Sequence, residues 1–263
     1  MLELRGKTVW ITGASAGLGE ALAHGFAARG ARLLLSARRT ERLEQVARAT
    51  GADIAEVLPL DLGAPESLPD KVGEAIARMG HIDIMVHNGG VGQRSLVTES
   101  TFEVDRRLME VNFLGPLALT KALLPHMITA RSGTFVVISS VLGLLSVKRR
   151  ATYCAAKHAL HGYFNALRAE LASDGINVLM VCPGHIASEF SQAALEGDGR
   201  AHGVHDPGNR SGLTPAACAT RTIRALVAGE AEIYPARWES LGVYANRFAP
   251  GLVRRAIARA KAR

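Results

Sequence analysis

The chain alternates short, continuous apolar runs with longer stretches that carry helical periodicity. The apolar runs show almost no polar–apolar alternation, which is the pattern of strands buried on both faces of a parallel sheet. Strands that alternate with helices form such a sheet through right-handed crossovers, with helices on both faces. The sequence therefore predicts an α/β fold with a doubly wound, seven-stranded, mostly parallel sheet. The predicted strands are 7–12, 31–36, 53–60, 82–87, 133–140, 176–182 and 231–235.

The clearest helical periodicity lies in residues 20–30, 40–50 and 106–127. Neither an internal repeat nor a linker interrupts the alternation, and 48% of the residues are apolar, which is enough for one large core. The sequence therefore predicts a single domain over residues 1–263. Residues 194–213 depart from the rhythm with five glycines and no periodicity, which is typical of a substrate lid or a disordered loop, and we expect a lid.

The cysteines and the N-terminal residues indicate in which cellular compartment the protein is expected. The three cysteines, Cys154, Cys182 and Cys218, have no CxxC spacing, which favours free thiols in a reducing cytoplasm. A strand-like apolar run begins within a few residues of Met1, so no signal peptide is expected. No apolar run approaches the roughly 20 residues that a membrane-spanning helix needs. We therefore expect a cytoplasmic protein.

No metal site is predicted from the sequence. His202 and His205 lie close together in the lid segment. However, no cluster of carboxylates and histidines at metal-ligand spacing accompanies them, and short histidine matches are often accidental.

The net charge of +7 is located almost entirely in the C-terminal tail. Residues 240–263 contain no acid, and the rest of the chain carries a net charge of about +1. Because the body is nearly neutral, the sequence predicts no nucleic-acid partner. The basic residues of the tail are Arg247, Arg254, Arg255, Arg259, Lys261 and Arg263.

The tail itself has the pattern of an amphipathic helix. We expect this helix to dock on its own subunit or on a partner subunit. The alternative is an interfacial helix attracted to anionic lipid. The predicted apolar face contains Leu252, Val253, Ala256, Ile257 and Ala260.

A glycine-rich loop, TGASAGLGE, follows the first predicted strand, with glycines at 13, 17 and 19. Glycines let the backbone approach a pyrophosphate, and the N-terminus of the next helix attracts its negative charge. The absence of a GK[ST] ending argues against a mononucleotide P-loop. An alternative is a nucleophile elbow, G-x-S-x-G, with Ser15 as the nucleophile. That alternative leaves Gly19 and the later motifs without a role.

Two arginines end the second predicted strand, where a dinucleotide site reads the adenosine ribose. An acid at this position indicates NAD, whereas arginine suits the 2′-phosphate of NADP. Arg38 and Arg39 stand here without an acid, so the sequence predicts NADP(H). The alternative is a solvated arginine pair.

Tyr153 and Lys157 in YCAAK share one face of a predicted helix, because residues four apart lie one turn from each other. They form either a proton-transfer pair or two unrelated exposed side chains. A phenol has a pKa of about 10, and a neighbouring cation favours its ionised form. The spacing alone does not distinguish these interpretations.

The motifs taken together resemble the classical short-chain dehydrogenase/reductase family from Lys7 to about Pro235. T-G-x-x-x-G-x-G begins at Thr12, Y-x-x-x-K begins at Tyr153, and Ser140 lies thirteen residues before that tyrosine. Three residues depart from the family pattern: His87 replaces an asparagine, Gly90 replaces an alanine, and Ala16 stands where many NADP-preferring members have a basic residue. Further matching elements are Asp61-Leu62, His87-Asn88-Gly89-Gly90, Asn112 in VNFLG, and Pro183-Gly184 followed by Ile186 and Ser188.

The resemblance implies a Rossmann-like fold, a homodimer or homotetramer, and four catalytic residues. Tyr153 is implied as the general acid or base, with Lys157 lowering the pKa of its phenol. Ser140 is implied to hydrogen-bond the substrate oxygen as an oxyanion hole does, and Asn112 to hold a water that links Lys157 to solvent. The implied NADP(H) contacts are Gly13, Ser15, Gly17, Leu18, Gly19, Arg38, Arg39, Asp61, Leu62, Asn88, Gly89, Tyr153, Lys157, Pro183, Gly184, Ile186 and Ser188.

The function implied is an NADP(H)-dependent oxidoreductase that interconverts a secondary alcohol and a ketone or aldehyde. YCAAKHAL is most similar to the branch that acts on steroid-like and other lipophilic carbonyls. An apolar substrate also suits the expected pocket wall of Val141, Leu142, Leu145 and Val147. One alternative is a 3-oxoacyl-thioester reductase. An alternative of another class is a non-catalytic NADP(H)-binding regulator, although a regulator would be free to lose Tyr153.

Overall fold

The structure, a computed structural model, describes residues 2–260, apart from the side chain of Pro207. Two bases of the predicted tail, Lys261 and Arg263, lie outside the described residues. The strands are β1 (Thr8–Thr12), β2 (Arg32–Ser36), β3 (Ala55–Val57), β4 (Ile84–His87), β5 (Gly133–Ile138), β6 (Ile176–Val181) and β7 (Glu232–Ile233).

Helices flank the sheet on both faces and extend beyond it at the C-terminus. They are α1 (Gly17–Ala27), α2 (Thr40–Thr50), α3 (Leu68–Met79), α4 (Phe102–Met109), α5 (Gly115–Ala130), α6 (Ala151–Glu170), α7 (Pro207–Arg210), α8 (Pro215–Ala228), α9 (Glu239–Phe248) and α10 (Pro250–Arg259). Among the described residues, none of the helices is long and apolar enough to cross a membrane.

The sheet has the order β3-β2-β1-β4-β5-β6-β7, and every neighbouring pair is parallel. This confirms the predicted doubly wound, seven-stranded sheet. The strand order reverses between β1 and β4, and such a switch point opens a crevice at the carboxyl ends of the strands. One core layer packs α1 and α8 on the sheet, and the other packs α3, α5 and α6.

The third strand is shorter than the sequence predicts. The apolar run covers residues 53–60, but β3 ends at Val57. The amides of Leu58 and Leu60 still donate to carbonyls at the end of β2. Pro59 lies between them without an N–H, so a regular ladder cannot continue through it.

The single long helix predicted over residues 106–127 is wrong. The structure has α4 and α5 joined by a π-helical turn at Glu110–Leu114. Pro116 has no N–H to donate to the carbonyl of Asn112, so a regular α-helix through this segment would lack one backbone hydrogen bond. Gly115 also packs on the backbone of Leu62, since a Cβ there would lie 2.3 Å from the Leu62 oxygen. The turn places Asn112 inside the protein, where it is 1% exposed.

The C-terminal tail is helical through α9 and α10, with a break at Ala249. In α9, Val243 is buried and the Asn246 Nδ2 donates to the Leu144 carbonyl at 3.0 Å. In the predicted apolar face, Val253 and Ile257 are half-buried, whereas its other described residues are exposed.

The loop after β1 is packed backbone against backbone on the end of β4. A Cβ at Gly13, whose φ is +66°, would lie 2.7 Å from the Gly89 Cα. A Cβ at Gly19 would lie 2.2 Å from the Gly13 oxygen and 2.6 Å from the Asn88 Nδ2. The same Asn88 amide donates to the carbonyls of Thr12 and Gly13, at 2.9 and 3.2 Å. Only glycine fits these contacts.

Replacing Gly19 with alanine should therefore destabilise the fold. The new methyl must displace the loop or Asn88, and such overpacking costs typically about 1–3 kcal/mol. Urea unfolding should show a lower midpoint for Gly19→Ala.

Gly162→Ala is the matched control, because Gly162 lies in helix α6 and a Cβ added there would meet nothing within 4 Å. This control should gain up to about 1 kcal/mol from helix propensity. Equal midpoints for the two variants would contradict the close packing at Gly19.

Candidate active site

The N-terminus of α1 lies at the glycine loop, where the sequence predicts pyrophosphate binding. The residue before this helix, Ala16, has no side chain to cap the first turn. The N–H groups of that turn therefore point at the glycine loop with no side-chain acceptor, as a bound phosphate requires. Gly17 and Leu18 begin the helix, and Ser188 lies 3.5 Å from the position of a Gly17 Cβ. The predicted pyrophosphate contacts thus lie together.

Arg38 and Arg39 lie exposed just beyond the end of β2, next to this loop. The Arg39 Nη2 donates to the Ser15 Oγ at 3.1 Å, so Arg39 is tied to the glycine loop rather than freely solvated. The positive charge of Arg38 is one of the contributions that lower the pKa of Asp61, after those of the Gly63 amide and Arg107. Both cations border the place where an adenosine ribose is expected.

Asp61 forms an ion pair with Arg107, whose Nη2 lies 2.9 and 3.1 Å from the two carboxylate oxygens. Burial alone would raise the pKa of Asp61, but the Gly63 amide, Arg107 and Arg38 together lower it. The carboxylate is therefore fixed as an anion, held by a partner that the sequence motifs did not indicate. Leu62 is buried beside it and would meet a Cβ on Gly89 at 2.5 Å.

Tyr153, Ser140 and Lys157 converge where β5 and β6 end. Tyr153 and Lys157 are 8% and 4% exposed, and the Lys157 Nζ lies 5.7 Å from the centre of the tyrosine ring. The same ammonium donates to the Ile138 carbonyl at 2.9 Å. Ser140 caps a short turn by accepting the Leu142 amide at 3.1 Å, which fixes its hydroxyl beside the phenol. The alternative of two unrelated exposed side chains is therefore wrong.

The expected lowering of the Tyr153 pKa is also wrong for this arrangement. Burial raises the pKa of the phenol to about 12, although Ser140, Arg150 and Arg94 oppose the shift. Burial likewise lowers the pKa of Lys157 to about 8. Removing water disfavours both charged forms, and here this effect exceeds the attraction of the neighbouring cations for the phenolate.

Asn112 closes the crevice behind Lys157. Its Oδ1 accepts the Val91 amide at 3.1 Å, and its Nδ2 donates to the Val91 and Leu108 carbonyls at 3.0 and 2.9 Å. The position of a Gly90 Cβ lies 2.7 Å from this Oδ1 and 3.9 Å from the Lys157 Nζ. Asn112 and Lys157 therefore meet at Gly90, while the water-holding role stays a prediction.

The segment after β6 forms the remaining wall of the crevice. The Pro183 carbonyl accepts the Val141 amide at 3.0 Å, and Gly184 lies against the Glu239 carboxylate. Ile186 forms a β-bridge to Leu213, at the end of the lid segment. The residues after Ile186 and part of the lid segment line a pocket of about 350 Å³. Its lining residues are Ala187, Ser188, Glu189, His205, Asn209 and Arg210.

A charged cluster beside Tyr153 has no counterpart in the motifs. Arg94 and Arg150 both pair with Asp206 of the lid segment, the latter at 2.9 Å. Arg94 is 7% exposed, and both arginines lower the pKa of Tyr153. The cluster fixes the lid next to the phenol. Its members are far apart in the chain, so no spacing pattern could have indicated them.

Phe190 is a second residue that the motifs did not indicate. Its ring centre lies 6.2 Å from that of Tyr153, and the side chain is 41% exposed. Together with Val141, which is buried, and the half-buried Leu142, it gives the site an apolar side. A substrate with an apolar body would contact this side.

The departure at His87 changes local hydrogen bonding, as expected. The Thr120 hydroxyl donates to the Pro116 carbonyl at 2.8 Å, so it must accept from the His87 Nε2, which lies 2.8 Å away. Burial lowers the pKa of His87 to about 3, and the ring is neutral. The ring stacks on Phe135 in the core and takes no part in the crevice.

Comparisons with known proteins agree with this geometry. A family model described as short chain dehydrogenase matches residues 7–199. A Drosophila melanogaster protein named dehydrogenase/reductase SDR family protein 7-like is 43% identical over 237 residues, covering 88% of this chain and 73% of the relative.

Solved structures share the fold over most of the chain. A short-chain dehydrogenase from Streptomyces avermitilis superposes with a TM-score of 0.81 at 30% identity, over 96% of each chain. A metagenomic short-chain oxidoreductase in complex with NADP superposes with a TM-score of 0.73 at 28% identity, over 89% of this chain and 99% of the other.

Proposed function

The chain belongs to the short-chain dehydrogenase/reductase family of oxidoreductases, and from that premise we propose that it interconverts a secondary alcohol and a ketone or aldehyde with NADP(H). The observation that carries this proposal is the convergence of Tyr153, Ser140 and Lys157 in a buried crevice next to the glycine loop. A crevice built only for binding would not require a buried phenol beside a buried ammonium.

The protein's own residues supply the proton chemistry. The nicotinamide cofactor, when bound, supplies or accepts the hydride at the carbonyl carbon. Ser140 holds the substrate oxygen, and the protonated Tyr153 donates its proton to that oxygen as negative charge develops there. A pKa of about 12 keeps Tyr153 protonated at neutral pH, which suits the reduction of a carbonyl. Oxidation of an alcohol needs the ionised phenol, which the positive ring of the oxidised cofactor would favour.

The residues of the crevice fit a dinucleotide. The first turn of α1 has no side-chain cap from Ala16, so its N–H groups can bind a pyrophosphate. Arg38 and Arg39 are exposed cations just beyond β2, and no carboxylate ends this strand, which supports binding of a 2′-phosphate. The metagenomic relative in complex with NADP supports the same choice.

An apolar carbonyl compound is the substrate class that the wall of the site favours. Phe190 lies beside Tyr153, and the apolar Val141 begins the turn that Ser140 caps. A 3-oxoacyl thioester is the alternative substrate, and turnover of acetoacetyl thioesters distinguishes it from simple ketones and aldehydes. A screen of NADPH oxidation across ketones, aldehydes, steroids and acyl thioesters therefore defines the class.

Tyr153→Phe should abolish reduction and leave NADPH binding nearly unchanged. The variant keeps the ring and loses the only group that donates the proton. Steady-state kcat on the best carbonyl of the screen should fall to below a few per cent of the wild-type value, with the NADPH Kd measured by fluorescence.

Tyr163→Phe on the same helix is the matched control, because its ring packs between Phe113 and Phe164 away from the crevice. This control should keep wild-type kcat. A Tyr153→Phe enzyme that kept substantial kcat would show that another group is the acid, and an inactive wild type with intact NADPH binding would favour the regulator.

NADPH should bind about tenfold to a hundredfold more tightly than NADH. A charge-assisted hydrogen bond contributes about 1.5–3 kcal/mol, which corresponds to that range. Because Ala16 adds no further cation, we expect a preference in the lower half of this range, unless Arg38 and Arg39 both contact the 2′-phosphate. Fluorescence titration of both cofactors provides the measurement.

Arg38→Ala and Arg39→Ala should each reduce the preference, since both cations lie at the end of β2. The matched control is Arg42→Ala on α2, whose side chain bonds Gln45 on the exposed helix face. This control should keep the wild-type ratio. Equal or tighter binding of NADH by the wild type would contradict the NADP(H) assignment.

A further inference from the structure

A cluster of three metal-ligating side chains lies behind the crevice, outside the residues that the proposed reaction uses. His161 comes from α6, Cys182 follows β6, and Glu232 begins β7. One ligand atom from each residue lies within 4.8 Å of the other two. His161 and Cys182 are 7% and 0% exposed, and Glu232 is half-buried.

The distances within the cluster fit a small metal ion. The Cys182 Sγ lies 3.6 Å from the His161 Nε2 and 3.8 Å from the Glu232 Oε1. Zinc bonds of about 2.3 Å to sulfur and about 2.0 Å to nitrogen or oxygen place tetrahedral ligand atoms roughly 3.3–3.6 Å apart. The sulfur is therefore already near metal-ligand spacing from both partners, and a small rotation of Glu232 would bring in the carboxylate.

Glu232 provides an independent reason to expect a cation. Among the described residues, no lysine or arginine nitrogen lies within 4.0 Å of its carboxylate. Its Oε1 accepts the Tyr234 hydroxyl at 2.6 Å, which is the kind of outer hydrogen bond that orients a ligating carboxylate. Among the described residues, this half-buried carboxylate beside a buried thiol and imidazole therefore has no direct ion-pair partner from a lysine or arginine.

We propose that His161, Cys182 and Glu232 bind one divalent transition-metal ion of the zinc class, with water as the fourth ligand. Sulfur, imidazole and carboxylate together favour Zn²⁺ over Mg²⁺ or Ca²⁺, which prefer oxygen ligands. Binding converts the Cys182 thiol to a thiolate, forms the metal–sulfur bond and releases one proton to water. The ion joins α6 to the ends of β6 and β7, one helical turn beyond Lys157.

Cobalt titration of chelator-stripped, tag-free protein tests this site. The wild type should bind one equivalent of Co²⁺ with a thiolate-to-cobalt charge-transfer band, and Zn²⁺ should displace it. Cys182→Ser should lose the band. Glu232→Gln keeps an oxygen for the Tyr234 hydroxyl and should retain the band with at least tenfold weaker binding.

Cys218→Ser is the matched control, because Cys218 is equally buried but lies in α8, where its backbone carbonyl accepts the Thr222 hydroxyl and its thiol is not part of the cluster. This variant should behave as the wild type. The proposal would be overturned if the wild type showed no charge-transfer band. It would also be overturned if both Cys182→Ser and Glu232→Gln kept the wild-type affinity for Co²⁺. Either result would show that the three side chains form a hydrogen-bonded cluster only. If Cys182→Ser fails to fold, the Glu232→Gln titration decides alone.

A second, independent feature is the apolar face of α9, which lies open to solvent. Large side chains on one side of this helix and just beyond it are mostly exposed. They are Trp238 (70%), Leu241 (68%), Tyr244 (51%), Phe248 (82%) and Leu252 (65%). The opposite side of α9 holds the buried Val243, so the helix is already anchored. A contiguous exposed surface of this kind marks an interaction site.

The charge around this face distinguishes between its two candidate occupants. Residues 238–260 contain four arginines and one acid, Glu239, whose carboxylate accepts the amides of His185 and Arg237. A second copy docked by twofold symmetry would place this patch against itself, so that like charges would meet. An anionic lipid surface offers the opposite charge, and aromatic residues beside arginines are typical of helices that lie in the membrane interface.

We propose that the α9 face binds an anionic membrane surface. The Lys148 Nζ donates to the Ala258 and Ala260 carbonyls at 2.7 and 2.8 Å, which ties α10 to the substrate side of the site. Gly242 of α9 packs near Leu145 of the same loop. A docked α9 would therefore hold the apolar wall of the crevice next to lipid.

Co-sedimentation with phosphatidylglycerol vesicles, using the full chain, tests this surface. The wild type should bind these vesicles at least tenfold better than phosphatidylcholine vesicles, and less well as salt increases. Leu241→Ser combined with Phe248→Ser should remove binding, and both residues are exposed enough to leave the fold intact.

Phe102→Ser is the control, because Phe102 is 76% exposed at the start of α4. It should bind vesicles as the wild type does. Wild type that stays in the supernatant, or equal binding by the double variant, would overturn the proposal. A dimer in solution that the double variant dissociates, without vesicle binding, would show that the occupant is a second copy.

Discussion

The whole site depends on the contact between the backbone of the glycine loop and the backbone at the end of β4. Gly13 and Gly19 have no room for a methyl group, and Asn88 spans the gap by donating to the carbonyls of Thr12 and Gly13. This contact fixes the two strands on either side of the switch point. The first turn of α1 follows directly from this loop, and Ala16 gives its N–H groups no side-chain cap.

Burial then determines the chemistry of the catalytic groups. Tyr153 and Lys157 both lose solvent, so both are driven toward their neutral forms, which is opposite to a simple ion-pair picture. The cations that act on the phenol are Arg94 and Arg150, and both are paired with Asp206 of the lid. The position of Asp206 and the acidity of the phenol are therefore physically connected, although these residues are far apart in the chain.

The sequence predicted the sheet because buried parallel strands have an unmistakable composition, and it predicted the positions of Tyr153, Lys157 and Ser140 because their spacing is short-range. It failed where the outcome depends on a tertiary contact. The π-turn required knowledge of how Gly115 packs on Leu62, and the ion pair between Asp61 and Arg107 joins residues 46 apart. His161, Cys182 and Glu232 come together only because α6, β6 and β7 are neighbours in the fold, so no spacing motif could indicate them.

The π-turn has a consequence for how this protein tolerates length changes. A π-turn contains one more residue than the α-helical path it replaces, and each residue of a helix advances by about 100° around the axis. Deleting Glu110 or Val111 would therefore rotate Asn112 away from its contacts with Val91. Pro116 would still have no N–H, so the deletion would not produce one regular helix. The number of residues in this segment is thus tied to the position of Asn112, and shortening the segment would disrupt the site without repairing the helix.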